Sequence, residues 1–98
     1  MALTIREARW PDDAPQLEAL RHEVFVEEQG VPAAIEWDGR DGDALHVLAE
    51  GDDGTVVGCG RLLDDGRIGR LAVRRPARGT GIGARMLDEL VLLARQRG

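Results

Sequence analysis

The sequence predicts one small domain of mixed α/β type, in detail an α+β fold of order β-α-β-β-β-α with a mostly antiparallel sheet. Three observations predict it. Two segments, one after Pro11-Asp12-Asp13 reaching about Glu28 and one from Thr80 to Arg97, carry apolar residues at helical spacing. Four short apolar or alternating runs lie around them, each of strand length. The last three runs are joined by turns too short for a crossover, which leaves antiparallel pairing.

Leu3, Ile5 and the pair Glu7-Ala8 form the first strand, and Pro11-Asp12-Asp13 breaks it. Asp12 or Asp13 is placed to cap a helix, and Pro15 is tolerated in a first turn. Leu17, Leu20, Val24 and Phe25 follow on one helical face to about Glu28, and Gly30-Val31-Pro32 ends the helix. Residues 33–43 are an acidic loop with room for one short helical turn. Ala44 to Glu50 is the second strand, and Gly51-Asp52-Asp53-Gly54 is a hairpin turn with residues suited to positive φ. Thr55 to Leu63 is the third strand, Asp64-Asp65-Gly66 the next turn, and Arg67 to Val73 the fourth strand. The last helix runs from Thr80 to Arg97, with Ile82, Met86, Leu90 and Leu93 on one face and Leu87 and Ala94 beside it.

Ninety-eight residues make one domain at most. The aromatic residues are Trp10, Phe25 and Trp37 alone, so the core is aliphatic. No run approaches the ~20 apolar residues of a membrane-spanning helix. The N-terminus lacks the basic and apolar regions of a signal peptide. The single Cys59 excludes an internal disulfide and a cysteine-based zinc site, and it is expected as a small core residue. Together these features predict a cytoplasmic protein without metal.

Charge is segregated. Residues 1–66 hold five arginines and sixteen acids, whereas residues 67–98 hold eight arginines and two acids. The net charge of −5 argues against general nucleic-acid binding. The basic end suits an anionic ligand and the acidic end a cationic one.

The basic end contains Arg78-Gly79-Thr80-Gly81-Ile82-Gly83-Ala84, between a strand and a helix. A glycine-rich turn opening a helix presents free backbone N–H groups at the positive end of the helix dipole. Without side chains at Gly81 and Gly83, an anion can approach the main chain. A P-loop is excluded because the chain has no lysine, and the glycine spacing is wrong for a dinucleotide fingerprint.

The order Arg-x-x-Gly-x-Gly after Leu71-Ala72-Val73, with Met86-Leu87 and Leu90 in the following helix, resembles the coenzyme A pyrophosphate loop of the GNAT superfamily of N-acetyltransferases. A second stretch, Arg21-His22-Glu23-Val24-Phe25-Val26-Glu27-Glu28-Gln29-Gly30-Val31-Pro32, is similar to the first-helix signature of the ElaA-like branch. Glu36-Trp37-Asp38, Ala44-Leu45-His46 and Ile68-Gly69-Arg70 fit that branch in order, so the likeness spans residues 5–95.

The resemblance implies an N-acetyltransferase that passes an acetyl group from acetyl-CoA to a primary amine of a small molecule or protein. It implies that the backbone of Leu71, Ala72 and Val73 pairs with the pantetheine arm and supplies an oxyanion donor. It implies that Gly79, Thr80, Gly81, Ile82, Gly83 and Ala84 cradle the pyrophosphate. Arg78 adds charge there, and Arg74 or Arg75 reaches toward the ribose phosphate. Many members carry a Glu on the fourth strand, where this chain has Ile68-Gly69-Arg70 and no carboxylate. The candidates for proton removal or substrate contact are then His46 and Glu28, with Glu27, Glu36 and Asp38 as neighbours.

A complete domain of that family continues with a fifth strand, a helix carrying a tyrosine, and two further strands. This chain has no tyrosine and stops after Arg97-Gly98. It is therefore expected to be the N-terminal portion of such a domain, or to be completed by a second copy through the exposed edge of the fourth strand. The competing reading is a catalytically silent module that binds CoA and reports its level to a partner.

Overall fold

The computed structural model describes residues 3–10, 12–32 and 39–97. Four strands form one sheet in the order β1-β2-β3-β4: β1 Leu3–Ala8, β2 Leu45–Gly51, β3 Val56–Leu62 and β4 Ile68–Val73. Every pairing is antiparallel, as the short turns require. Helix α1, Ala14–Arg21, continues as a π-helical segment over His22–Glu28, and helix α2 covers Ile82–Arg97. Short 3-10 turns lie at Asp41–Asp43 and Arg75–Ala77.

The helices cover opposite faces. On one, Leu17, Leu20 and Val24 of α1 pack with Leu48, Val56, Cys59 and Ala72. On the other, Ile82, Met86 and Leu90 of α2 pack with Val47, Ala49 and Leu62. Met86 and Leu90 are fully buried, and burying each such side chain stabilises by about 1.5–3 kcal/mol. Gly58 and Gly60 let α2 sit close to β3. A Cβ on Gly58 would meet Met86 Cε at 2.9 Å, and one on Gly60 would meet Leu90 Cδ1 at 2.9 Å and Leu71 Cδ2 of β4 at 2.7 Å.

Several strand ends shift by one residue, and two helix boundaries and one cap differ further, each of these for a physical reason. Asp13 sits at the N-cap but makes no capping bond. Its carboxylate instead accepts the Arg9 backbone N–H at 2.8 Å and the Arg6 guanidinium at 3.2 Å. The first helix does not stay α-helical to Glu28; from His22 its bonds widen, as when Gln29 N–H donates to the Val24 carbonyl at 3.2 Å. Helix α2 begins at Ile82 rather than Thr80, because Gly79 and Gly81 have φ of +83° and +80°. Thr80 between them turns its hydroxyl to the Ala77 carbonyl at 2.7 Å.

The α1 face also buries charge. Arg21, Asp41 and Arg61 are only 1%, 5% and 4% exposed. Asp41 Oδ1 accepts from Arg21 Nη1 at 2.8 Å and from Arg61 Nη1 at 2.9 Å. His46 donates from Nε2 to the Asp41 carbonyl at 3.0 Å, and its ring stacks on Trp10 at 4.8 Å between centroids. The cluster ties α1, the 3-10 turn at 41–43, β2 and β3 together. No helix among the described residues is long and apolar enough to cross a membrane.

Candidate functional site

The site begins with an irregularity in β4. Cys59 pairs with Ala72 and Arg61 with Gly69, so Arg70 and Leu71 together oppose Gly60. This is a β-bulge, which bends the strand and breaks the ladder locally. Its first residue, Arg70, has φ of +51°, the left-handed region usually left to glycine. Holding a side-chain-bearing residue there costs on the order of 1–2 kcal/mol, and such outliers concentrate at functional sites. β4 is also the last strand of the sheet, so its outer edge offers backbone groups beyond the bulge. Leu71 on that edge is 36% exposed.

From the bulge the chain runs through Ala72 and Val73 into the glycine loop. Arg74 N–H bonds the Val57 carbonyl at 2.8 Å and anchors the exit of β4. Residues 75–77 make one 3-10 turn, and Gly79 and Gly81 then reverse the backbone toward α2. Arg85 N–H donates to the Gly81 carbonyl at 3.1 Å, so Gly81 is where α2's bonding starts. The amides of Gly81 to Ala84 therefore have no acceptor in a preceding turn and point out of the helix end. Gly79, Thr80 and Gly81 are exposed. Gly83 is not needed for packing: a Cβ there would meet only Val73 Cγ2, at 4.0 Å. The missing side chain leaves room at the amide row, which fits a ligand that lies against the backbone.

The loop's cations are held in place. Arg78 donates from Nε to the Val73 carbonyl at 2.8 Å and from Nη2 to Glu28 Oε2 at 2.8 Å. Arg75 Nη2 reaches the same carboxylate oxygen at 3.4 Å. Arg74 pairs with Glu23 at 3.5 Å. The hydrogen bond from Arg78, with Arg75 beside it, holds the Glu28 carboxyl below the usual carboxylate range.

Leu71 to Val73 and Arg78 to Ala84 thus lie in one continuous path, with Glu28 at its loop end. The structure sets His46 apart from that end. His46 shares a register row with Arg61 and Gly69, and the row that ends at Val73 crosses β2 at Ala49. Three residues of strand between those rows span about 10 Å. His46 is 3% exposed, and burial lowers its pKa, so the ring is neutral at pH 7. Glu28 and His46 are therefore not brought together, and Glu28 sits at the loop rather than at the bulge. Glu36, Trp37 and Asp38 lie outside the described residues. The buried Arg21–Asp41–Arg61 cluster and the bulge at Arg70 were not expected from sequence. No group of three potential metal ligands occurs among the described residues.

Comparison with known proteins finds relatives by sequence and by fold. The family model described as the Acetyltransferase (GNAT) family matches residues 4–98. A UPF0039 protein of Mycobacterium tuberculosis is 42% identical over 81 residues, covering 74% of this chain and 51% of its own. The crystal structure of an acyl-CoA N-acyltransferase from Pseudomonas aeruginosa superposes with a TM-score of 0.83 at 31% identity, covering 97% of this chain and 72% of that one. Escherichia coli ElaA gives a TM-score of 0.81 at 27% identity over 97% of this chain and 71% of its own. The chain spans about half the length of the curated relatives it matches.

Proposed function

The chain belongs to the GNAT acetyltransferase family, and from that premise we propose that it moves an acetyl group from acetyl-CoA to a primary amine of a small molecule or protein. The observation that carries this reading is a bulged, edge-exposed strand leading directly into a helix N-terminus whose amides point outward. The open edge of Leu71, Ala72 and Val73 pairs with the extended amide arm of the cosubstrate. The amides from Gly79 to Ala84 take its pyrophosphate, and Arg78 neutralises it. Near the bulge a backbone N–H donates to the thioester oxygen as negative charge develops there. Acetyl-CoA supplies the activated acyl group. The amine nitrogen forms the new C–N bond, the C–S bond breaks, the amine loses a proton and the thiolate gains one.

The proton step falls to His46, acting through water, because β4 carries no carboxylate. Its imidazole is neutral at pH 7 and so can take a proton, although burial and the nearby Arg21 and Arg61 make it a weaker base than a free histidine. The test is thiol release from acetyl-CoA with a panel of primary amines, on a chain carrying any continuation past Gly98. The wild-type rate should rise as pH passes upward through a pKa below ~6.5, the ordinary histidine value, because burial depresses it. His46→Gln should lower turnover by about 10²-fold and remove that rise. Full turnover with an unshifted profile would make His46 a core residue only.

The absence of a carboxylate on β4 also favours a second reading, a silent CoA-binding module. CoA binding without thiol release for any amine would select it.

A further inference from the structure

The cations of the loop already hold an anion. Glu28 Oε2 sits 2.8 Å from Arg78 Nη2 and 3.4 Å from Arg75 Nη2. The Glu28 side chain is only 17% exposed, although it ends a surface helix. Arg78 is fixed from its other side by the bond from Nε to the Val73 carbonyl. Its guanidinium is thus held at the exit of β4, on the residue that opens the glycine loop, and the carboxylate occupies one of its donor positions. A phosphate oxygen seeks the same donors at the same distance as a carboxylate oxygen. Two anions cannot share them without like-charge repulsion.

We infer that Glu28 is the resident counter-ion of the phosphate site, displaced when a phosphate-bearing ligand binds, and that it thereby selects for such ligands. This rests on the reading of the loop as a CoA site. Displacement frees the arginines for the ligand and unfastens the end of the π-helical segment from the loop. Glu28 is the last residue of that segment, and π-helical turns are rare and concentrate at functional sites. A ligand without phosphates cannot repay the lost ion pairs, so it leaves Glu28 where it is. Glu28 is then a specificity residue for cofactor charge.

The test is calorimetric titration of wild type and Glu28→Gln, each carrying any continuation past Gly98, with CoA and with pantetheine, which lacks the phosphates. Arg78 and Arg75 are 40% and 75% exposed, and ion pairs with such surface partners are individually weak, so removing the competitor should tighten CoA binding roughly two- to tenfold. Pantetheine binding should not change. Glu28→Ala should behave alike, and melts of both variants check that they fold. CoA binding equal to or weaker than wild type would overturn the inference while leaving the CoA site standing. A gain shared equally by pantetheine would also overturn it, since the effect would not pass through the phosphates. No CoA binding by either protein would overturn the reading and the inference together. Binding that appears only in the variant would support both.

Discussion

Gly81→Val is expected to weaken CoA binding by at least ~100-fold while the sheet and both helices remain folded. Gly81 has φ of +80°, and a β-branched residue is strained there whatever space surrounds it. The left-handed conformation costs about 1–2 kcal/mol for a residue with a side chain, and the loop would shift to relieve it. The shift would misalign the amides of Gly81 to Ala84, and each charge-assisted bond lost costs about 1.5–3 kcal/mol. Gly83→Ala is the internal contrast. Its Cβ finds space, with Val73 Cγ2 at 4.0 Å, and alanine favours the helix over glycine by up to ~1 kcal/mol. That variant should melt no lower than wild type yet bind CoA more weakly, because the methyl group stands where the ligand lies. Calorimetry beside thermal melts reads both quantities. Unchanged CoA affinity in Gly81→Val would remove the loop from the site.

Asp41→Ala is expected to be the most damaging single change to stability. It strips the shared carboxylate from Arg21 and Arg61, which are 1% and 4% exposed. Breaking a buried ion pair by removing one partner costs about 3–5 kcal/mol, against a total of roughly 5–15 for a domain. A small domain has less to lose, so the variant should be largely unfolded in denaturant melts that leave wild type folded. Acid should reach the same cluster. Burial alone would raise the Asp41 pKa, but Arg21 and then Arg61 outweigh it and hold the carboxyl below its usual range. The stability this provides is complete above ~pH 4 and is lost as pH falls through the depressed folded value. His46 acts earlier. Burial depresses its pKa, so the folded state prefers the neutral ring, and stability declines as pH drops below ~6.5. The melting temperature should therefore fall in two stages on acidification, and His46→Gln should remove the first.

The layout of strands and helices was legible because it rests on local signals. Apolar spacing marked both helices, and the acidic glycine turns marked both hairpins. The glycine loop was legible as chemistry, but the start of α2 was not, since two glycines at positive φ delay it by two residues. What stayed hidden is nonlocal. Glu28 looks like any solvated acid until the fold brings Arg78 to it from fifty residues away. Asp41 reads as part of an acidic loop, though it is buried between two arginines. A signal for that cluster did exist: Arg21 lies four residues after Leu17 and three before Val24, on the buried face of α1. The bulge had no signal. Arg70 carries the positive φ although glycine stands next to it at 69, so pairing within the sheet sets this conformation against local preference.

Acetyl transfer on this chain requires CoA to lie along β4 with its pyrophosphate on the loop. Backbone amide chemical shifts followed during titration with CoA test this most directly. The largest changes are expected at Gly79 to Ala84 and at Leu71 to Val73, with β1 and the turn at 52–53 unmoved. Changes centred away from β4 and the loop, or none at saturating CoA, would contradict it.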